Sequence, residues 1–105
     1  DVFQAIADPT RREILGLISK KPLNLNSIAE NFEMSRPAIS QHIKVLDERG
    51  LVVIRKKGRQ RFCYIRPQKI KEVDKWLEQF RQLWEDRFNQ LDQVLNNLKD
   101  QDNEE

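Results

Sequence analysis

One cysteine, one histidine and three glycines in 105 residues leave little room for several kinds of chemistry. Cys63 has no second cysteine to bridge, so no intrachain disulfide can form, and a reducing cytoplasm is the default compartment. His42 and Cys63 fall short of the roughly three or four N, S or O donors that a transition-metal site needs within one protomer. Neither a metal nor a cofactor is therefore expected. The three glycines form no phosphate-cradling loop, and neither a nucleophile, base and orienter trio nor a catalytic carboxylate pair is visible, so the reading is of a chain that is not an enzyme. Nothing in it resembles an apolar signal segment or a membrane span, and there is no internal repeat.

What the chain does have is charge, unevenly spread. Charged residues make up 34% of it and apolar residues 38%, a balance that points to long exposed helical faces. The net charge of +2 hides a division. From Ser35 to Arg66 nine Lys/Arg face only Asp47 and Glu48, a surplus of seven, whereas residues 1–34 carry −1 and residues 67–105 carry −4. A basic middle between acidic flanks is the footprint of a protein that binds a polyanion. The start at Asp1 without Met reads as a trimmed terminus, and the run from Lys99 to Glu105 reads as a frayed polar tail.

Apolar spacing and punctuation divide the rest into elements. Val2, Phe3 and Ile6 share one face of a short helix that ends at Asp8-Pro9. Asp8 caps a second helix with Pro9 at its first position and Ile14, Leu15 and Ile18 as its stripe, up to Lys20-Lys21-Pro22. Pro22–Leu25 reads as a connector, and Asn26 or Ser27 then caps a third helix carrying Ile28, Ala29 and Phe32. After a tight Glu33-Met34 junction, Ser35 caps a fourth helix with Ala38, Ile39, Ile43 and Leu46 inward and Gly50 at its end. Leu51–Ile54 and Arg61–Ile65 read as strands of a hairpin with a basic tip at residues 55–60. From Pro67 onward Ile70, Val73, Leu77, Phe80, Trp84, Phe88, Leu91, Leu95 and Leu98 recur every three or four residues. A helix of about 45 Å is longer than one small domain can cover, so its apolar seam is expected to meet a second copy. The reading is mainly α with a small β-hairpin wing: a winged helix-turn-helix over residues 1–66 and a dimerisation helix over residues 67–98 of the same compact unit.

Two stretches, Ala7-Asp8-Pro9-Thr10-Arg11-Arg12-Glu13-Ile14-Leu15 and Ser35-Arg36-Pro37-Ala38-Ile39-Ser40-Gln41-His42-Ile43-Lys44-Val45-Leu46, closely resemble the ArsR/SmtB-like winged-helix repressor family. The likeness continues through Gly50-Leu51-Val52 and the Gly58-Arg59 turn to Tyr64. It implies a winged helix on a dimer, usually a repressor that binds an imperfect palindrome near a promoter. In the last helix Trp76, Phe80, Trp84, Arg87 and Phe88 are similar to family members that lack metal sites. Two departures stand out. Glu33 occupies a junction where the family commonly has Gly, at a cost on the order of 1 kcal/mol if a left-handed backbone is required there. The paired cysteines and the His and acidic ligands of metal-sensing members are absent.

Independently of that likeness, the fourth helix carries the side chains that major-groove reading needs. Arg36 can pair with guanine in two-pronged fashion and Gln41 with adenine, while Ser35 and Ser40 suit a base or a phosphate. Pro37 and Lys44 share their face, opposite Ile39, Ile43 and Leu46; the plainer reading of this face is a solvated polar one. In the wing Arg55, Lys56, Lys57, Arg59 and Arg61 suit phosphates or a minor groove, or else form a solvated turn. Arg11 and Arg12 suit either an acidic partner or a backbone contact near the second helix. His42 reads as structural or phosphate-facing, and Cys63 as inert core. The expected dimer interface is Val2, Phe3, Ile6, Leu77, Phe80, Trp84, Phe88, Leu91 and Leu95. Double-stranded DNA and a second copy are the expected partners, with no membrane. Two other readings stay open: a small-molecule effector among the aromatics of the dimer seam that gates the same repressor, and a protein-interaction module that touches no nucleic acid.

Overall fold

The computed structural model describes the backbone of residues 1–103 and the side chains of residues 1–101. Its order is α1 (Val2–Ile6), α2 (Pro9–Lys20), β1 (Leu23–Asn24), α3 (Leu25–Ala29), α4 (Arg36–Glu48), β2 (Val52–Lys57), β3 (Gln60–Ile65) and α5 (Pro67–Asn103). The chain divides into two units at Val73. The division lies beyond the Arg66–Pro67 boundary expected from sequence, because Ile70 and Val73 at the start of α5 pack on the core of the first unit.

Local chemistry explains each element of that first unit. Asp8 accepts from the Thr10 and Arg11 amides at 2.8 and 3.1 Å and Pro9 follows it, so α2 starts where two orphan amides are satisfied. Ser35 does the same for α4, accepting from the Ala38 amide at 3.3 Å. At the other end of α4 the Leu51 amide donates to Leu46 O at 2.9 Å and the Gly50 amide to Asp47 O at 3.0 Å. Gly50 lies at φ +76°, and Leu46 and Leu51 are both buried beside it. Together these form a Schellman ending, which only a residue comfortable at positive φ completes without strain.

Several boundaries differ from the sequence reading. The third helix is capped by Asn24, whose side chain accepts from the Ser27 amide at 2.7 Å, two residues before the earlier of the expected caps. The expected connector holds a strand: Leu23 and Asn24 pair antiparallel with Cys63 and Phe62, giving a three-stranded sheet in the order β1-β3-β2. The hairpin strands also run further into the basic segment, with Lys57 opposite Gln60 and a two-residue turn at Gly58-Arg59. Gly58 has φ +66° and no other residue than glycine has positive φ among the described residues, so the turn is of the primed class with Gly first. The same fact shows that Glu33 is not left-handed; α3 and α4 are joined by residues 30–35 rather than by a tight glycine turn.

Ile14, Ile18, Ile28, Ile39, Ile43, Leu46, Leu51, Val52 and Cys63 form one buried core to which α2, α3, α4 and the sheet all contribute. The second unit is the remainder of α5. Its helix runs to Asn103, five residues beyond the expected end at Leu98, so residues 99–103 of the expected tail are helical. Residues 104–105 of that tail lie outside the described residues.

Candidate nucleic-acid interface

The core fixes which face of α4 is open. Ile39 and Ile43 are 1% exposed and Leu46 is fully buried, so the helix is pinned along one stripe. Arg36, Pro37, Ser40, Gln41 and Lys44 are left exposed, as is the cap Ser35. Every recognition-helix residue expected from sequence is therefore available to a ligand.

The wing meets this face. Arg36 and Ser40 of α4 line one cleft together with Arg59, Gln60 and Arg61 of the hairpin and residues 24–26 at the start of α3. Arg55, Lys56 and Lys57 are exposed on β2. The register sets Lys56 directly opposite Arg61, and like charges in that arrangement repel. Among the described residues the ion pairs are Lys69–Glu72, Arg81–Asp74 and Arg81–Glu78, all on α5, so the cations of α4 and the wing have no carboxylate partners. An unpaired basic surface with polar side chains at its centre is suited to phosphates and base edges. Asn24, Asn26 and Gln60 were missed from sequence. Asn24 announces itself as a cap before an apolar run, but only the fold brings it beside Arg36.

Four residues singled out from sequence without a firm role, Arg11, Arg12, His42 and Cys63, now have partners or an environment. Arg11 donates through Nε to Ala5 O and through Nη2 to Gln4 O at 3.2 Å. Arg12 donates through Nη1 to Ile6 O at 2.9 Å and Ala7 O at 3.1 Å. Both arginines thus satisfy carbonyls at the end of α1, where cations are favoured. Half-buried His42 has its Nδ1 3.4 Å from Arg11 Nη1. Cys63 is fully buried, and burial first, then the Asp47 charge, pushes its thiol up to about 12. A thiol held protonated in that way is a poor nucleophile.

Of the expected interface residues, Val2 is corrected: it is 4% exposed in its own chain and belongs to the protomer's core, so a second copy cannot touch much of it. Ile6 is half-buried and Phe3 is 38% exposed. On α5 Leu77, Phe80, Trp84, Phe88, Leu91 and Leu95 are all exposed, and so are Trp76, Leu83, Val94 and Leu98. Trp76 lies edge-on to Phe80 with centroids 4.9 Å apart, and Trp84 stacks on Phe88 at 6.1 Å. Among the described residues no cluster of three or more His, Cys, Asp or Glu could hold a metal ion, and no helix is long and apolar enough to cross a membrane.

A helix-turn-helix with a basic hairpin beside its second helix defines a winged-helix DNA-binding protein. The profile of the family described as bacterial regulatory protein, arsR family, matches residues 8–53. The transcriptional repressor SdpR of Bacillus subtilis (strain 168) is 32% identical over 76% of this chain and 89% of its own length. The HTH-type transcriptional regulator Rv2034 of Mycobacterium tuberculosis is 37% identical over 74% and 73%. The crystal structure of the ArsR family transcriptional regulator RHA00566 superposes with a TM-score of 0.70 at 39% identity, covering 80% of this chain and 87% of that one. The chain belongs to the arsR family of bacterial regulatory proteins, DNA-binding transcriptional regulators rather than enzymes.

Proposed function

We propose that the protein is a repressor that binds a pseudo-palindromic operator as a homodimer. The observation that carries this reading is the convergence of Arg36 and Ser40 with Arg59 and Arg61 on one cleft that has no acidic partner among the described residues. Arg36, Ser40 and Gln41 read base edges in the major groove, with Ser35, Pro37 and Lys44 seating the helix. Arg55, Lys56, Lys57, Arg59 and Arg61 contact phosphates or the adjoining minor groove and add affinity with little sequence preference.

Two copies pair through the exposed apolar face of α5, with Phe3 and Ile6 of α1 contributing, and offer two α4 helices to successive major grooves about 34 to 36 Å apart. The exposure of Leu77, Phe80, Trp84, Phe88, Leu91 and Leu95 in the single chain supports that pairing, because contiguous apolar surface of this extent marks an interaction site. Occupancy of a promoter then excludes polymerase, and action on the bacterial chromosome puts the protein in the cytoplasm. Selection of bound duplexes from a random pool tests both claims at once. Enriched sites should be two-fold symmetric with half-sites one helical turn apart; enrichment without symmetry, or none, would reject the operator.

A further inference from the structure

The contact between Arg11 and His42 joins two elements that the proposed function uses separately. Arg11 sits in the first turn of α2, and its guanidinium holds two carbonyls of α1, those of Gln4 and Ala5. The same group reaches His42 on α4 at 3.4 Å. A guanidinium only donates and does not lose its proton in a protein, so a hydrogen bond at this contact requires Nδ1 to be the accepting nitrogen of the ring. The ring proton then resides on Nε2, which has no partner among the described residues. A second proton would set an N–H against an N–H and a cation beside a cation. The charged groups facing the ring are Arg11 on α2 and the carboxylate of Asp8 at the cap of the same helix. Asp8 is itself engaged by the Thr10 and Arg11 amides, so it softens the repulsion without replacing the lost hydrogen bond.

We propose that Arg11 is a positioning residue that ties the end of α1 to the reading helix α4 through the unprotonated Nδ1 of His42, so that proton uptake by the ring releases the tie and lowers DNA affinity. The inference rests on the reading of α4 as the DNA-reading helix and of α1 as part of the pairing surface. With the tie closed, the angle between them is fixed before DNA arrives; with it open, the order must be imposed on binding.

His42 is the only histidine, so one ring in the nitrogen NMR spectrum reports on it without assignment ambiguity. The neutral ring should show the Nε2–H tautomer, and the α1 amides should shift with the same midpoint as the ring. Those α1 shifts should vanish in His42→Gln, which keeps an acceptor and takes up no proton, and in Arg11→Gln. Affinity for a duplex selected from the random pool should fall about tenfold on acidification and stay level in His42→Gln. An Nδ1–H tautomer, or α1 amides indifferent to the ring, would overturn the tie. Affinity that rises on acidification would overturn it too, since that is the mark of a ring donating to phosphate. Failure to bind any duplex at any pH counts against the proposed function, and the ring and amide signals then decide the tie by themselves.

Discussion

At the scale of single residues the proposed DNA-binding surface predicts different losses for base-reading and phosphate-holding groups. Arg36→Ala should lose about 1 to 3 kcal/mol and relax preference at one base position, whereas Lys57→Ala should weaken all duplexes alike and flatten the salt dependence. Titrating each variant against the selected site and a scrambled duplex separates the two; equal losses on both from Arg36→Ala would strip it of a reading role. The Lys56–Arg61 pair behaves differently, because its repulsion is present in the free protein. Lys56→Thr should raise the stability of the free protein by about 0.2 to 1 kcal/mol in urea titrations while weakening duplex binding. Asp8 gives the acid limit. Burial of its carboxylate pushes its pKa upward, but the Arg11 and Thr10 amides and the charges of His42 and Arg11 outweigh that, so the net displacement is downward from 3.8. Its contribution is therefore complete above the unfolded value and lost as pH falls through the lower folded one. Asp8→Ala should cost about 1 kcal/mol at neutral pH and show a smaller acid-dependent loss below about pH 4 than the parent chain.

At the scale of elements, capping decides where helices begin and end, and this explains what the sequence disclosed. Asp8-Pro9, Ser35 and Gly50 are strong local signals, so α2 and α4 stand where their residues predicted. Positions 36, 40 and 41 were legible for the same reason: once Ile39, Ile43 and Leu46 face inward, helical geometry leaves the others outside. The two-residue strand β1 was not legible, because Leu23-Asn24 has no strand pattern of its own and exists only through pairing with β3. Asn24 was lost along with it, although its cap is as good as that of Ser35. Residues 55–57 read as a loop from their charge, yet backbone pairing does not depend on side-chain polarity when the side chains stay wet. The roles of Arg11 and Arg12 as clasps on α1 required the position of carbonyls that no residue pattern specifies. Gly50→Ala should destabilise the fold by about 1 kcal/mol or more in thermal or urea unfolding, since φ +76° suits glycine and the Schellman ending would strain.

At the scale of the whole molecule the proposed pairing governs both assembly and DNA binding. Leu91 is 52% exposed in the single chain, so Leu91→Asp should leave the fold of the protomer intact while setting an unpaired charge into the seam. Sedimentation should then find protomers where the parent chain gives dimers, and an unchanged dimer would remove Leu91 from the seam. Far-ultraviolet dichroism of the residues other than α5 cannot be isolated, so the unfolding transition of the core is the better check on the protomer. The proposed covering of the exposed α5 face by a second copy also shapes the dose response. When pairing is the limiting event, loaded operators increase with the square of the number of chains, so halving synthesis empties them fourfold and a gene held shut can reopen over a narrow fall in supply.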